Sequence, residues 1–206
     1  MRSLFAQETH RRGQALVKLV LILPVMLVTL MVMIEVARLF SAWLVVESSA
    51  REAASYAMTG RYDPKYCSAP WSLPCDDPNQ AVRDAAQEQA RLYTIQAIAR
   101  STASDIQVDA SARREQPKFI DVTVCSNRSG KDGNPLFAYR EEPTPSSSNI
   151  FPRCVVASHP DQIQNDAGSS GDRVEIVVLY DYPLITPLRF LADWIPLVAR
   201  RDIFVE

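Results

Sequence analysis

The feature that most constrains this chain is an apolar run near its start. From Leu19 to Ile34 every residue is apolar apart from Thr29 and a tolerable Pro24. Counting back to Ala15 gives a stretch of about 20 residues, long enough as a helix rising ~1.5 Å per residue to cross a hydrocarbon layer of ~30 Å. Lys18 is the one charge inside it. That lysine sits one turn from the N-terminal end, where its stem can lie along lipid while the ammonium reaches the headgroups. Arg11 and Arg12 precede it, so the excess of cations predicts a cytoplasmic N-terminus and an exported remainder. Two other readings compete with an anchor. A cleaved signal peptide has an apolar stretch of only ~7–15 residues and a small-residue cleavage site, which Glu35-Val36-Ala37-Arg38-Leu39-Phe40 does not provide. A buried core helix should not be apolar on every face in a chain of 206 residues.

The charge distribution agrees with this reading. Residues 1–18 carry +3, and the overall −2 therefore leaves −5 on the other 188 residues. A basic end abutting an apolar run belongs to membranes, and no nucleic-acid partner is expected.

Beyond the run, Leu39, Trp43, Val46, Ala50, Ala54 and Ala57 recur at spacings of three and four, a stripe that turns all-round hydrophobicity into amphipathicity. Gly60 suits the left-handed residue that ends a helix. One helix from about Gln14 to Thr59 is expected, membrane-embedded in its first half and packed on a soluble domain in its second. Residues 1–13 then form a basic cytoplasmic leader, 14–37 the spanning segment and 38–206 the exported domain. Phe40 and Trp43, just past the membrane, are candidates for lipid or helix contact, with core packing as the alternative.

From Gly60 to Pro78 there are four prolines and two cysteines, the signature of a stapled loop. Asp77 followed by Pro78 reads as an N-cap and first helical residue. Val82, Ala86, Ala90, Tyr93 and Ala97 then mark one face of a second helix ending near Arg100. After Ser101 the period changes to two: Ile106 to Ala110, Ile120 to Val124 and Val174 to Tyr182 read as half-buried strands, with a fourth from Ala199 to Val205 after a short helix or turn around Leu188 to Trp194. Residues 126–172, rich in Asn, Ser, Gly and Pro, read as a long surface loop. The expected fold is α+β: two helices packed on a small antiparallel sheet of three or four strands.

Cys67, Cys75, Cys125 and Cys154 all fall on the exported side, where an even count implies disulfides in one of three connectivities. Cys67 with Cys75, closing the loop between helices, and Cys125 with Cys154, pinning the long excursion, are favoured. No pair has the Cys-x-x-Cys spacing of a zinc or redox site. His10 and His159 have no motif neighbours, no nucleophile, phosphate-binding or metalloprotease signature occurs, and Asp76 and Asp77 suit a helix start. No catalytic residue, metal or cofactor is expected, and the chain reads as a non-enzyme.

Arg11-Arg12-Gly13-Gln14-Ala15-Leu16-Val17, the apolar helix with Pro24, Glu35-Val36-Ala37-Arg38-Leu39-Phe40 and Ala50-Arg51-Glu52-Ala53-Ala54 together resemble the TadE-like family of pseudopilins, from the tight-adherence (Flp-type) branch of pilus machinery. The resemblance is densest over residues 11–60. It implies a pilin-like fold and a leader cut by a membrane prepilin peptidase between Gly13 and Gln14. The remaining helix would anchor a protein that assembles or primes a pilus. One position departs from the family: its usual glutamate at the fifth mature residue is here Lys18. In pilin-like packing that carboxylate offsets a neighbour's new α-amino group, and an unpaired buried charge costs several kcal/mol. A second reading follows, in which the chain is an accessory subunit of a larger membrane complex, leader retained, its helix against other transmembrane helices. A third is a surface binding domain using the long loop.

Overall fold

The computed structural model describes residues 3–68, 74–114, 116–130, 133–143, 150–185 and 193–206. Helix α1 (Ser3–Met58) is a single unbroken helix of 56 residues with Pro24 inside it, about 84 Å long at 1.5 Å per residue. It stops where expected: the Gly60 N–H donates to the Ala57 carbonyl at 3.2 Å with φ of +63°. The Glu206 N–H donates to the Met58 carbonyl at 3.0 Å, tying the end of the last strand to the end of the first helix.

Helix α2 (Gln80–Thr102) begins later than Asp77-Pro78 predicts. Asn79 is the cap, its side-chain oxygen accepting from the Ala81 N–H at 3.1 Å, while the Asp77 carboxylate accepts from the Asn79 N–H one turn upstream. Two consecutive Asx-type bonds delay helix entry, because Asp77 is engaged in the turn that leads into the cap.

Six strands follow: β1 (Ile120–Ser126), β2 (Phe137–Pro143), β3 (Ile150–Val156), β4 (His159–Ile163), β5 (Arg173–Pro183) and β6 (Trp194–Phe204). They form two antiparallel three-stranded sheets, ordered β1-β5-β6 and β2-β3-β4. In the first sheet β5 is central, with Val122 opposite Val178 and Val178 opposite Ala199. Its inner face presents Val122, Val124, Val174, Ile176, Val178 and Tyr180, all buried, to Ala42, Val46, Ala50, Ala53 and Ala57 of α1 and to Ile95 and Ala99 of α2. The alanines let the α1 backbone approach the sheet closely, and the sheet side chains fill the gap.

Three expectations change. The 126–172 stretch is not one loop; it contains the whole second sheet. Its strands hid because β4 is exposed at every position and prolines lie in all three, at 143, 152 and 160, so no alternation of buried and exposed residues marks them. Ile106 to Ala110 is not a strand. Its backbone turns instead, with the Asp109 carboxylate accepting from the Ser111 N–H at 2.8 Å and the Ala112 N–H donating to the Asp109 carbonyl, while Ile106 alone packs on the core. The final strand starts at Trp194 rather than Ala199; most of the turn or helix expected at Leu188 to Trp194, residues 186–192, lies outside the described residues.

The second sheet covers the outer face of the first. Thr123 donates to the Pro152 carbonyl at 3.2 Å and Cys125 is bonded to Cys154. Consequently Thr123, Cys125, Val177 and Leu179, on the face a half-buried strand would show to water, are buried too.

Candidate functional site

The expected functional feature is the apolar half of α1, and the structure leaves it uncovered. Apart from half-buried Val32, the large apolar side chains from Leu19 to Ile34 are each 51–69% exposed. The helix from Lys18 onward contains an 18-residue window of mean hydropathy 2.7. Thr29 satisfies its hydroxyl within the helix, donating to the Val25 carbonyl at 2.8 Å. So long an apolar surface without a protein partner is what a lipid-embedded segment looks like in isolation.

This surface meets the domain at Glu35, a carboxylate that is only 4% exposed. Tyr182, near the end of β5, donates its hydroxyl to Glu35 Oε1 at 3.0 Å across 147 residues of sequence. Arg38, one turn on, places Nη1 3.8 Å from Glu35 Oε2 and its guanidinium 6.0 Å from the Tyr182 ring centre. Burial, then the bond to Glu35, pushes the Tyr182 hydroxyl up to about 12, with Arg38 pulling the other way. Beside this triad lies a cleft of about 240 Å³ bordered by Arg38, Asp105, Gln107 and Tyr180; the Tyr180 hydroxyl donates to the Gln107 carbonyl at 2.9 Å.

Above the junction α1 is amphipathic along the expected stripe at every position but Trp43. Val46, Ala50, Ala54 and Ala57 are buried and Leu39 is partly so, whereas Trp43 is 41% exposed and Ala42, Ser49 and Ala53 take the inner positions. Trp43 instead stacks on exposed Phe40 with ring centres 5.7 Å apart. Glu47 pairs with Arg51 at 3.9 Å and with Arg201 of β6, a second polar tie between α1 and the sheet.

The remaining sequence-predicted residues fall in three places. Gly13 and Gln14 are within the helical span of α1, and their side chains lie outside the described residues. Lys18 is exposed on the same helix. The four cysteines form Cys67–Cys75 and Cys125–Cys154, with Cα atoms 5.1 and 5.2 Å apart.

Sequence reasoning passed over two polar clusters. Glu35 itself was visible as the first acid after the apolar run, but nothing in the chain pointed to Tyr182. The other cluster centres on Arg128, which reaches Glu88 of α2 at 2.8 Å, Asp166 at 3.7 Å and Asp172 at 3.6 Å. Burial opposes the Arg128 charge, and the three carboxylates outweigh it, raising its proton affinity. Asp166 also accepts from Ser126 and from the Gly168 N–H, so the group fastens α2, β1 and the segment before β5 together. It is a brace inside the domain, and among the described residues no group of three or more His, Cys, Asp or Glu side chains is arranged to hold a metal.

Residues 13–55 match the TadE-like protein family model. The TadE-like segment therefore comprises the exposed apolar helix, the Glu35/Arg38 junction and the alanine-rich face that packs on the sheet, and it stops short of the rest of the domain. No curated protein and no solved structure matches the chain.

Proposed function

We propose that this chain is a single-pass TadE-like pseudopilin that works without catalysis, by protein contact, in pilus assembly, with its N-terminus in the cytoplasm and its domain exported. The observation that carries the proposal is one continuous helix: its first half is apolar and uncovered, and its second half is the spine of a folded domain. Such a helix transmits position from the membrane to the domain, which is what an assembly subunit needs. The match over residues 13–55 supports the pilus setting. The basic residues at 2, 11, 12 and 18 support the orientation, and two disulfides suit an oxidising exterior. Its partners on this reading are membrane lipid, the other membrane components of the pilus machinery, and a prepilin peptidase acting between Gly13 and Gln14.

Lys18 favours a second reading. At the position where a glutamate would offset a neighbour's α-amino group it places a like charge, which suits an accessory subunit of a larger membrane complex with its leader retained. Intact-mass measurement of the membrane-extracted protein separates the two. A chain beginning at Gln14 is expected for the pseudopilin. An intact leader on protein that co-purifies with other membrane subunits would replace it with the accessory subunit.

A further inference from the structure

The junction also sets how far the domain stands from the membrane, and the distance is close to zero. A hydrocarbon layer of ~30 Å takes up about 20 helical residues. Started at Ala15 it ends at Ile34; started at Leu19 it ends at Arg38. In the first case Glu35 is the first residue past the acyl chains, and in the second it lies about 4.5 Å inside them; Tyr182 of β5 is hydrogen-bonded to Glu35. The end of β5 is thus brought down to the lipid, with Ile185 61% exposed two residues past the strand. Phe40 and Trp43 continue the apolar surface of α1, and Leu44, 48% exposed, ends it. By helical rise Trp43 is about 7.5 Å and Leu44 about 9 Å beyond Arg38, so with the span begun at Leu19 a headgroup zone of some ~5–8 Å per leaflet takes in Trp43 and ends just short of Leu44. Past it the outward positions Ser48, Arg51, Glu52 and Ser55 are polar and exposed, and the next exposed apolar side chain is Met58 at the end of the helix.

From these distances we propose that the outer domain is seated on the exported-side leaflet, with Ile185, Phe40 and Trp43 in the phospholipid interface and the Tyr182–Glu35–Arg38 triad closing the carboxylate off from the acyl chains. The proposal rests on the reading of α1 as membrane-spanning. Among the described residues the charges around the rim are balanced: Arg38 and Asp105 border one hollow, and Lys118 and Asp193 border the neighbouring one of about 300 Å³ that Ile185 also lines. Seating is therefore driven by apolar and aromatic insertion rather than by attraction to anionic lipid. A face held this way restricts rotation of the domain about its anchor.

Depth-resolved tryptophan quenching tests it on the full chain reconstituted in phosphatidylcholine vesicles carrying bromine either near the headgroup or near the chain ends. Three single-tryptophan proteins are needed, each with the other native tryptophans changed to phenylalanine: native Trp43, Ile185→Trp and Val28→Trp. Trp43 and the residue introduced at 185 should lose more emission to the shallow bromine than to the deep one, and do so without anionic lipid; the residue at 28 should show the reverse order. Quenching at 28 with none at 185 overturns the seated domain while leaving the spanning helix intact. A blue-shifted but unquenched emission at 185 means that protein, not lipid, covers the rim and also overturns the proposal. No quenching at 28 overturns the spanning helix and, with it, this inference.

Discussion

Tyr182→Phe removes one oxygen, yet it should be among the costly single-atom changes in this protein. Glu35 is buried, and among the described residues its polar side-chain contacts are the Tyr182 hydroxyl at 3.0 Å and Arg38 at 3.8 Å, the latter with its side chain 39% exposed. A hydrogen bond to a charged group contributes about 1.5–3 kcal/mol, and a buried acceptor stripped of its partner adds its own desolvation cost. We expect Tyr182→Phe to destabilise the domain by about 2–3 kcal/mol. Glu35→Gln should cost less, because the amide oxygen still accepts from the tyrosine. The decisive measurement is a double-mutant cycle of Tyr182→Phe and Glu35→Ala, with guanidinium unfolding of the full chain in detergent micelles followed by near-ultraviolet circular dichroism. Groups in direct contact couple by about 0.5–3 kcal/mol, and we expect about 1.5 or more here. A coupling below about 0.5 kcal/mol would refute the claim that the two residues form one junction. The pH dependence gives an independent reading. Burial and Glu35 hold the Tyr182 hydroxyl near 12, above its ordinary value of 10.0. The folded state thus keeps a proton that the unfolded state releases, so this stabilisation is complete below about pH 10 and drains away as pH climbs towards 12. Tyr182→Phe should lose less stability across that interval than the unaltered chain does. Tyr180, raised to about 12 by burial, contributes an alkaline loss of the same sign in both proteins.

Three further outcomes follow from the fold. Cys125→Ser with Cys154→Ser should cost about 3–4 kcal/mol by loop-closure entropy. Hydrogen exchange should accelerate in β2, β3 and β4 while the amides of β5 stay protected, since the disulfide and the Thr123 hydrogen bond join the sheets. Gly168→Ala should destabilise by about 2–4 kcal/mol in thermal melts, because its φ is +70° and a new Cβ would lie 2.7 Å from Val174 Cγ2. Gly133→Ala, at φ +74° in open space, should cost only about 1 kcal/mol. Ala53→Leu, on the fully buried face of α1 against the sheet, should cost about 1–3 kcal/mol by overpacking in the same unfolding assay.

The long helix was legible in the chain because both of its halves announce themselves locally. Sixteen residues from Leu19 to Ile34 show no polar face, and the three-and-four spacing that follows is a property of the helix alone. The β1 and β5 strands were legible for the same reason, their alternation being written into consecutive residues. So was the cysteine pairing, because each pair closes a short segment, 8 and 29 residues apart. One position of the stripe was not: Trp43 has the right spacing and the wrong direction, because small residues at 42, 49 and 53 allow a closer approach to the sheet than an indole would.

Tertiary structure alone decided the second sheet and the junction. Strand β4 is polar and exposed, β2 ends in charged residues, and a proline lies in each of the three; they exist because β1 and β5 offer an apolar outer face and Cys125 a covalent tie, neither of which is visible within residues 137–163. The contact between Glu35 and Tyr182 joins positions 147 residues apart, and no local pattern can encode a partner at that separation. Local periodicity determines which residues need covering, and the closure of the chain determines what covers them: lipid for the first half of α1 on the proposed reading, the sheet for the second, and one tyrosine for the carboxylate between.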